Sequence, residues 1–371
     1  SKKDEILLNF KLSQIPIFHS NMYLGNIEFE YKKEKREWKL FEKSQNEFEN
    51  FTRSIIPLQM PKIYLEGFKY LNEKISSSFW PSKPKIIFTS GSFTADDFFK
   101  LYVAKKTEEG FPLAIGQHGG GIGTHLFAFY EKHQIDISDL YLSWGWKDKL
   151  RENIKSIGIF KDKKPLRVNH GSQSKILLLA IKLPRHSYHI WSAPIASQAL
   201  NNFIDQCNFI NSLNAKIKDK LTVRLKQIDQ DEEPSLERWI EKFPYINYDD
   251  GSSNINKLLA KSRLCISTYN ATTFLETLSM NVPTVIFWNP NHWELREPAV
   301  KHFHQLKKVG VFHDTPESAA RHVNFVWEDV NLWWNSKVVQ DAVNSFKDYY
   351  CKKPKNLVNL IHTEFIDFIK K

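Results

Sequence analysis

Cysteine is scarce in this chain, which has three cysteines among 371 residues. Cys207, Cys265 and Cys351 lack CxxC spacing and cannot all pair, so neither a disulfide framework nor a zinc site is expected, and a reducing, cytoplasmic compartment fits best. Long apolar runs are also missing, since none approaches the roughly 20 residues that span a bilayer. Residues 1–10 contain no apolar core of a secretory signal, so we expect none in this stretch.

Basic residues outnumber acidic ones, but they are dispersed. Lys and Arg total 52 against 42 Asp and Glu, which gives a formal charge of +10. The densest basic clusters, residues 32–36 and 161–164, are short, and no zinc finger, RNP-type strand or basic recognition helix is present, so nucleic acid is not an expected partner. We attribute most of the excess to solvated surface, and the rest to an anionic ligand or to anionic lipid at the inner face of the cytoplasmic membrane.

The spacing of apolar residues predicts an α/β protein with two Rossmann-like domains. Residues 85–90, 112–115 and 140–143 have the pattern of strands, and a helix should begin at Thr94 as its N-cap. The polar residues 161–175 are interpreted as a linker. The alternation then restarts, with strands predicted at 175–181, 221–225, 245–248, 264–267, 284–288 and 309–312.

This pattern divides the chain into an N-terminal domain of residues 1–165, a C-terminal domain of residues 166–340 and a terminal helical segment of residues 341–371. Open α/β sheets bind ligands outside the carboxyl ends of their strands. The two domains should therefore face a central cleft, and the motifs at strand ends should carry the chemistry.

A glycine-rich turn, GQHGGGIGT, follows the strand at 112–115. Glycines allow a ligand to approach backbone amides closely, which assigns Gln117, Gly119 and Gly120 to a site for an anionic donor or a sugar. The spacing is neither that of a dinucleotide fingerprint nor that of a P-loop. His118 lies where the strand enters the turn, and its imidazole suits a base that takes a proton from an acceptor hydroxyl. The alternative is a structural histidine that hydrogen-bonds the turn.

A second motif, CISTYNATTFLE, leads from a strand into a helix that should begin near Ala271 or Thr272. Free amides at a helix start, together with hydroxyl groups, suit a phosphate. Glu276, one turn further on, faces the same mouth and suits ribose hydroxyls. A capping box of Thr273 and Glu276 is the alternative. The residues assigned here to the donor are Ser267, Thr268, Asn270, Thr272, Thr273 and Glu276.

Two further strand ends carry candidate groups. In FWNPNHWELR, Trp288 or Trp293 would stack on a base, and Glu294 would bind a sugar hydroxyl or act in chemistry; an aromatic plug in a surface loop is the alternative. A set of cations at neighbouring strand ends either complements a phosphate or is plain surface: Lys182, Arg185, His186, Arg224 and Lys226.

Together, the motifs QHGG, STYN, NPNHWELR and HDTPESAA resemble a bacterial family of surface-carbohydrate transferases, over about residues 113–334. The stretch ETLSMNVP also resembles the donor half of GT-B glycosyltransferases, with Asn281 in place of the usual glycine. The resemblance implies a GT-B-like fold, a nucleotide-sugar donor in the C-terminal domain, an acceptor on the N-terminal side, C-terminal helices that cross back onto the N-terminal domain, and hinge motion between domains.

Two better understood families share parts of the pattern. Similarity to transferases of CMP-activated acidic sugars, such as Kdo or nonulosonates, implies that His186 and the pair Ser267-Thr268 hold the donor phosphate, although the proline expected after that histidine is absent. Retaining Kdo transferases have an acidic residue where His118 stands, which argues against a carboxylate nucleophile here. Polyol-phosphate polymerases of teichoic-acid type share the pair His118-Gly119 but have a following lysine that this chain lacks.

The expected reaction is glycosyl transfer from a nucleotide sugar, CMP-linked, to a surface polysaccharide or glycolipid. It should need no cofactor and no metal, with His118 and Glu294 as catalytic residues and with peripheral membrane association. Two alternatives stay open: a CDP-polyol phosphotransferase, and a non-catalytic module that binds a nucleotide or a carbohydrate.

Overall fold

The computed structural model describes residues 2–14, 27–38, 44–160, 165–168, 171, 174–184, 191–225, 232–233 and 235–370. It contains two α/β units, each built on a parallel sheet. The predicted α/β class with two Rossmann-like domains is therefore confirmed. Arg185, His186 and Lys226, all predicted to bind the donor phosphate, lie outside the described residues.

The first unit has a four-stranded parallel sheet in the order β1-β2-β3-β4. The strands are β1 (Ile87–Thr89), β2 (Leu113–Gly116), β3 (Leu140–Ser143) and β4 (Ile154–Ser156). The helices are α1 (Lys2–Lys11), α2 (Glu47–Gln59), α3 (Lys62–Leu65), α4 (Phe68–Ser76), α5 (Ser92–Ala95), α6 (Asp97–Glu108) and α7 (Phe129–Asp136).

The helix predicted to start at Thr94 begins three residues later. Asp96 is the N-cap of α6, and its carboxylate accepts a hydrogen bond from the Phe99 amide at 3.0 Å. Thr94 lies in the short helix α5, where its hydroxyl donates to the Gly91 carbonyl at 2.7 Å. Asp96 rather than Thr94 caps the helix because its carboxylate binds a free helix amide more strongly than a threonine hydroxyl would.

The second unit has a six-stranded parallel sheet in the order β12-β11-β10-β5-β7-β9. These strands are β5 (Lys175–Leu179), β7 (Leu221–Arg224), β9 (Asn247–Asp249), β10 (Ser262–Ser267), β11 (Thr284–Phe287) and β12 (Phe312–His313), and β6 (Leu183–Pro184) pairs separately with β8 (Glu232–Glu233). The helices are α8 (Gln198–Asn211), α9 (Ala215–Lys218), α10 (Leu236–Lys242), α11 (Ile255–Ala260), α12 (Thr272–Ser279), α13 (Glu297–Lys308) and α14 (Pro316–Val326). Strand order reverses between β5 and β10, which makes this crevice the topological switch point of the sheet.

One hydrophobic core runs through both units. It includes Ile122 and Trp144 from the first unit and Phe274 and Phe303 from the second, all of them buried. Domains within a chain move freely unless their interface is large and apolar. A shared core therefore opposes the hinge motion that the resemblance implies.

The C-terminal helices α15 (Val330–Trp334), α16 (Lys337–Tyr350) and α17 (Leu357–Ile369) end the chain. Helix α16 packs against α12 and α13, whereas α17 packs against α1 of the first unit. Phe365 of α17 lies 5.4 Å from Phe88 of β1 between ring centroids. The predicted return of the C-terminal helices onto the first unit is thus confirmed. None of the helices in the described part of the chain has both the length and the hydropathy needed to cross a bilayer.

Candidate active site

A cavity of about 320 Å³ opens at the switch point of the second sheet. Its walls come from the carboxyl ends of β5 and β7, the loop after β9, the start of α11, the loop after β10 and the first turns of α12: Leu179, Ala180, Arg224, Leu225, Gly251, Ile255, Tyr269, Thr273 and Glu276. Open α/β sheets bind ligands at this position, and the volume falls within the range of small-molecule sites. Three predicted donor residues, Arg224, Thr273 and Glu276, are brought together here.

Arg224 holds the wall of the cavity in place. Its guanidinium pairs with Asp249 and donates to the carbonyl oxygens of Gly251 at 3.0 Å and Ser253 at 2.9 Å. The Asp249 carboxylate balances the positive charge of Arg224, and its Oδ1 accepts from the Gly251 amide at 3.1 Å. Arg224 therefore positions the loop, and its predicted role as a cation for the donor phosphate stays a prediction. The sequence pattern did not reveal Asp249, which ends a strand with weak apolar alternation.

Helix α12 begins without a side-chain cap, because its N-cap residue is Ala271. The capping box considered for Thr273 and Glu276 is not formed, and Thr273 Oγ1 instead lies 2.9 Å from the Tyr269 hydroxyl. The first amides of a helix have no partners within the helix and carry the positive end of its dipole, which suits an anion. Since Thr273 and Glu276 line the cavity, this helix start borders it directly.

Asn270 presents an unsatisfied donor beside that helix start. Its side chain is 1% exposed, and its Nδ2 has no hydrogen-bond partner among the residues that the structure describes. The other side-chain atom, Oδ1, accepts from the Thr124 hydroxyl at 3.3 Å. A buried donor left without an acceptor costs about 1–3 kcal/mol.

Ser267 and Thr268 are buried at the switch point, at 0% and 1% exposure. Thr268 Oγ1 donates to the Leu179 carbonyl at 2.9 Å and accepts from Gln206 Nε2 at 3.1 Å. Ser267 Oγ donates to the Tyr269 carbonyl at 3.4 Å. Thr268 thus ties the end of β10 to β5 and α8, whereas Ser267 bonds within the following loop, and the phosphate role predicted for both stays a prediction. The sequence showed the hydroxyls but not these partners.

The glycine-rich turn of the first unit lies against the start of α12. The Gly120 amide donates to Thr272 Oγ1 at 2.9 Å. A Cβ added at Gly120 would stand 2.5 Å from the Ala271 carbonyl carbon, and one at Gly119 would stand 3.1 Å from Thr272 Oγ1. Glycine is therefore required at position 120 because the two backbones touch. The two motifs that sequence singled out are neighbours across the cleft.

Gln117 has a structural role within the first unit. It is 1% exposed, and its Oε1 accepts from the Trp144 amide at 2.9 Å and from Trp146 Nε1 at 2.8 Å. Its Nε2 donates to the Gly119 carbonyl at 2.9 Å. All of these bonds shape the turn, so the predicted contact of Gln117 with the donor does not fit.

His118 is exposed, as a base that meets an acceptor must be. Its side chain has no hydrogen-bond partner in the part of the chain that the structure describes, so the alternative of a histidine bonded to the turn is not observed. The imidazole lies beside Gly91, where an added Cβ would stand 3.1 Å from His118 Nδ1. His118 thus sits between the carboxyl end of β1 and the turn that contacts α12.

A buried polar cluster joins the two units next to this site, and sequence reasoning missed it. His125 Nε2 donates to the Asn270 carbonyl at 3.0 Å, and Arg296 pairs with Glu131 while its Nε donates to the His125 carbonyl at 3.0 Å. Burial lowers the pKa of His125 to about 4. Nothing in the spacing of these residues signals the cluster, because its members come from separate elements.

Glu294 lies at the same interface. Its carbonyl accepts from the Leu126 amide at 3.0 Å, and its half-buried carboxylate has no partner among the described residues.

Trp288 and Trp293 are 1% and 2% exposed, so both belong to the core and neither is open to stacking on a base. Lys182 is 4% exposed and is not among the residues that line the cavity, and its place in a cationic rim stays a prediction.

Three solved structures are distantly similar to this chain. The wall teichoic acid polymerase TagF has a TM-score of 0.38 at 12% identity, with 78% of this chain and 89% of TagF covered. Acinetobacter baumannii MurG has a TM-score of 0.42 at 10% identity, covering 88% of this chain and 82% of MurG. A Listeria monocytogenes protein described as a UDP-N-acetylglucosamine 2-epimerase has a TM-score of 0.45 at 12% identity, covering 80% and 76%. Likenesses this distant carry no conclusion about activity.

No curated protein matches this sequence. A family model does: the model described as LIC12162 family transferase matches residues 1–365. This match covers both sheets, the glycine-rich turn and the start of α12. The chain therefore belongs to the LIC12162 family of transferases.

Proposed function

We propose that this transferase moves a sugar from a nucleotide donor, a CMP-activated acidic sugar such as Kdo or a nonulosonate, to a surface polysaccharide or glycolipid. The observation that carries the proposal is the uncapped start of α12, beside the unpaired Asn270 amide and the cavity at the switch point. A helix start, an amide donor and a nucleoside-sized cavity together suit a nucleotide with a phosphate at its sugar end.

In this proposal the nucleoside occupies the cavity and Glu276 accepts hydrogen bonds from its ribose hydroxyls. The phosphate then lies at the first amides of α12, beside Thr272, Thr273 and the Asn270 amide. These groups stabilise the negative charge that grows on the leaving nucleotide, which is the largest single contribution in many group transfers. Because they supply this stabilisation, we propose that the reaction needs neither metal nor cofactor. Arg185 and His186 stay candidates for the same phosphate.

The acceptor approaches from the side of the first unit. Its hydroxyl oxygen attacks the anomeric carbon of the donor while the proton passes to His118, and the bond from that carbon to the phosphate oxygen breaks with its electron pair left on the nucleotide. Gly119 and Gly120 support this role because they bring the turn that carries His118 into contact with Thr272. Glu294 is the second candidate base.

A thermal-shift series with CMP, CDP, UDP and GDP tests the donor assignment, since a ligand that binds the folded state raises its melting temperature. We expect CMP to stabilise the protein most. Turnover is then measured with CMP-Kdo and with CDP-glycerol. Transfer from CDP-glycerol alone would replace the proposal with a polyol-phosphate transferase, and stabilisation by a nucleotide without any transfer would indicate a binding module.

We also propose that the protein associates peripherally with anionic membrane, where a glycolipid acceptor would reside. Helix α2 supports this, because Phe48, Phe51 and Leu58 lie on one of its faces and are 76%, 60% and 53% exposed. Cosedimentation with vesicles of phosphatidylglycerol and phosphatidylcholine tests it. We expect the protein to bind phosphatidylglycerol vesicles and not phosphatidylcholine vesicles. Binding to neither kind of vesicle would contradict membrane association.

A further inference from the structure

Two cavities of about 490 and 450 Å³ lie between α1 and β1 in the first unit. They share Asn9, Leu12, Gln14, Ile86, Phe88 and Ser92. Because the same side chains line both, the two cavities form one groove, named here the α1 groove. It runs along the outer strand of the first sheet, since β1 pairs with β2 on its other side.

One end of the α1 groove is formed by a loop that the candidate base contacts. Thr89, Ser90 and Ser92 line this end. Gly91 stands between the two serines, and a Cβ added there would lie 3.1 Å from His118 Nδ1. The loop that closes this end of the groove is therefore also the loop against which His118 lies.

The lining of the groove is both polar and apolar. At the His118 end its lining residues carry hydroxyl groups. The same cavity is also lined by half-buried Leu8, Leu12 and Phe88, by the buried Ile361 and Phe365 of α17, and by Asp4 and Glu5 of α1. A ligand that covers half-buried apolar side chains around a cavity of this size removes apolar surface from water, which favours binding.

We propose that the α1 groove is the acceptor site, and that the acceptor is amphiphilic. Its saccharide lies at the serine end and its apolar chain covers Leu8, Leu12 and Phe88. A free polysaccharide would leave these side chains in contact with water, so the groove selects a lipid-linked saccharide over an unlinked glycan. The assignment of His118 rests on the proposed function, whereas binding of an amphiphile to the groove can be measured without turnover.

Calorimetric titration with decyl maltoside, below its critical micelle concentration, tests the chemistry of the groove. We expect saturable binding of decyl maltoside and no measurable binding of maltose. Octyl maltoside, which is two methylenes shorter, should bind on the order of tenfold more weakly, because each buried methylene contributes about 0.8 kcal/mol. Equal binding of maltose and decyl maltoside would overturn the apolar part of the proposal.

A matched pair of variants places the ligand. Leu12 lines both cavities, so Leu12→Trp fills the groove. Leu7→Trp makes the same change at a residue of α1 that is 43% exposed and lines neither cavity. We expect Leu12→Trp to weaken decyl maltoside binding at least tenfold and Leu7→Trp to leave it unchanged. Undiminished binding to a folded Leu12→Trp protein would overturn the proposal.

A measurement on the unaltered protein covers the case in which Leu12→Trp fails to fold. A decyl maltoside with a diazirine at the chain end is photolysed on the protein, and the labelled peptides are identified by mass spectrometry. Labels in residues 2–14, 86–92 or 357–365 support the proposal, and labels confined to other segments refute it. The CMP thermal shift is recorded in parallel. If CMP binds but the groove stays unlabelled, only the assignment of the acceptor site is refuted. If CMP does not bind, the proposed function is refuted.

Discussion

The Gly120 amide of the first unit donates to the Thr272 hydroxyl of the second at 2.9 Å. This bond joins the glycine-rich turn to the start of the helix assigned to the donor phosphate. The turn also carries His118, so the distance between the candidate base and the phosphate site is set by this contact. Precision at a reacting centre depends on such positioning contacts, since small misplacements cost large factors in rate.

Gly120→Ala should separate the turn from α12. The added Cβ would stand 2.5–2.7 Å from backbone atoms of Ala271 and Thr272, which cannot rotate away. We expect a loss of about 1–3 kcal/mol in the free energy of unfolding, measured by urea denaturation. Gly119→Ala is the control, because its Cβ would meet only the Thr272 side chain at 3.1 Å. Equal losses in the two variants would contradict the backbone contact.

His118→Ala should reduce turnover on the order of 10²–10⁴-fold, the usual contribution of a general base. Its melting temperature should stay near that of the unaltered protein, because the His118 side chain is exposed. His133→Ala removes another exposed histidine, at the end of α7, and should keep full turnover. If His118→Ala is fully active while Glu294→Ala is not, Glu294 is the base.

Stability should decrease as the pH falls from about 6.5 to about 4. His125 is neutral when folded, because burial lowers its pKa to about 4 against 6.5 in the unfolded chain. Between these values the unfolded chain binds more protons, so acid favours unfolding. The pKa difference corresponds to ~3 kcal/mol for this residue.

Urea denaturation at pH 7, 6, 5 and 4 measures the contribution of His125. The variant His125→Gln, which keeps a hydrogen-bond donor for Asn270, should lose less stability over this range than the unaltered protein. Burial lowers the pKa of His322 to about 4 as well, so part of the pH dependence should persist in the variant. Identical pH dependence in both proteins would show that His125 does not stay neutral in the folded state.

Arg296→Met should destabilise the junction of the two units. The change leaves the Glu131 carboxylate, with a side chain 8% exposed, without its charge partner. Breaking a buried ion pair on one side costs about 3 kcal/mol, because an uncompensated charge remains. Arg321→Met, at an exposed position of α14, should change stability by less than about 0.5 kcal/mol. Thermal denaturation compares the two, and similar melting temperatures would contradict a role of Arg296 at the junction.

The sequence predicted where the start of α12 and the glycine-rich turn lie better than it predicted the roles of their side chains. The start of α12 near Ala271 follows from the end of β10, and the glycine-rich turn follows from the end of β2 in the other sheet; the rule that ligands bind at strand ends needs only the order of elements. Glu276 and Thr273 line the cavity because they lie on the first turns of that helix.

The partners that each side chain contacts could be learned only from the structure. Ser267, Thr268 and Gln117 have the chemistry of ligand-binding groups, yet each is buried and hydrogen-bonded within the protein. Arg224 is neutralised by Asp249, which lies 25 residues away along the chain. The cluster of His125, Glu131 and Arg296 depends on contacts between separate elements, and no local pattern encodes such contacts.

The most direct test of the account is nucleotide binding to a protein whose donor cavity has been filled. Ile255→Trp places an indole in the cavity, and Lys257→Trp places one at an exposed position on the same helix, α11. Calorimetric titration with CMP should give the same affinity for the unaltered protein and for Lys257→Trp, and no binding to folded Ile255→Trp. Unchanged CMP affinity in Ile255→Trp would contradict the assignment of the switch-point cavity to the nucleotide.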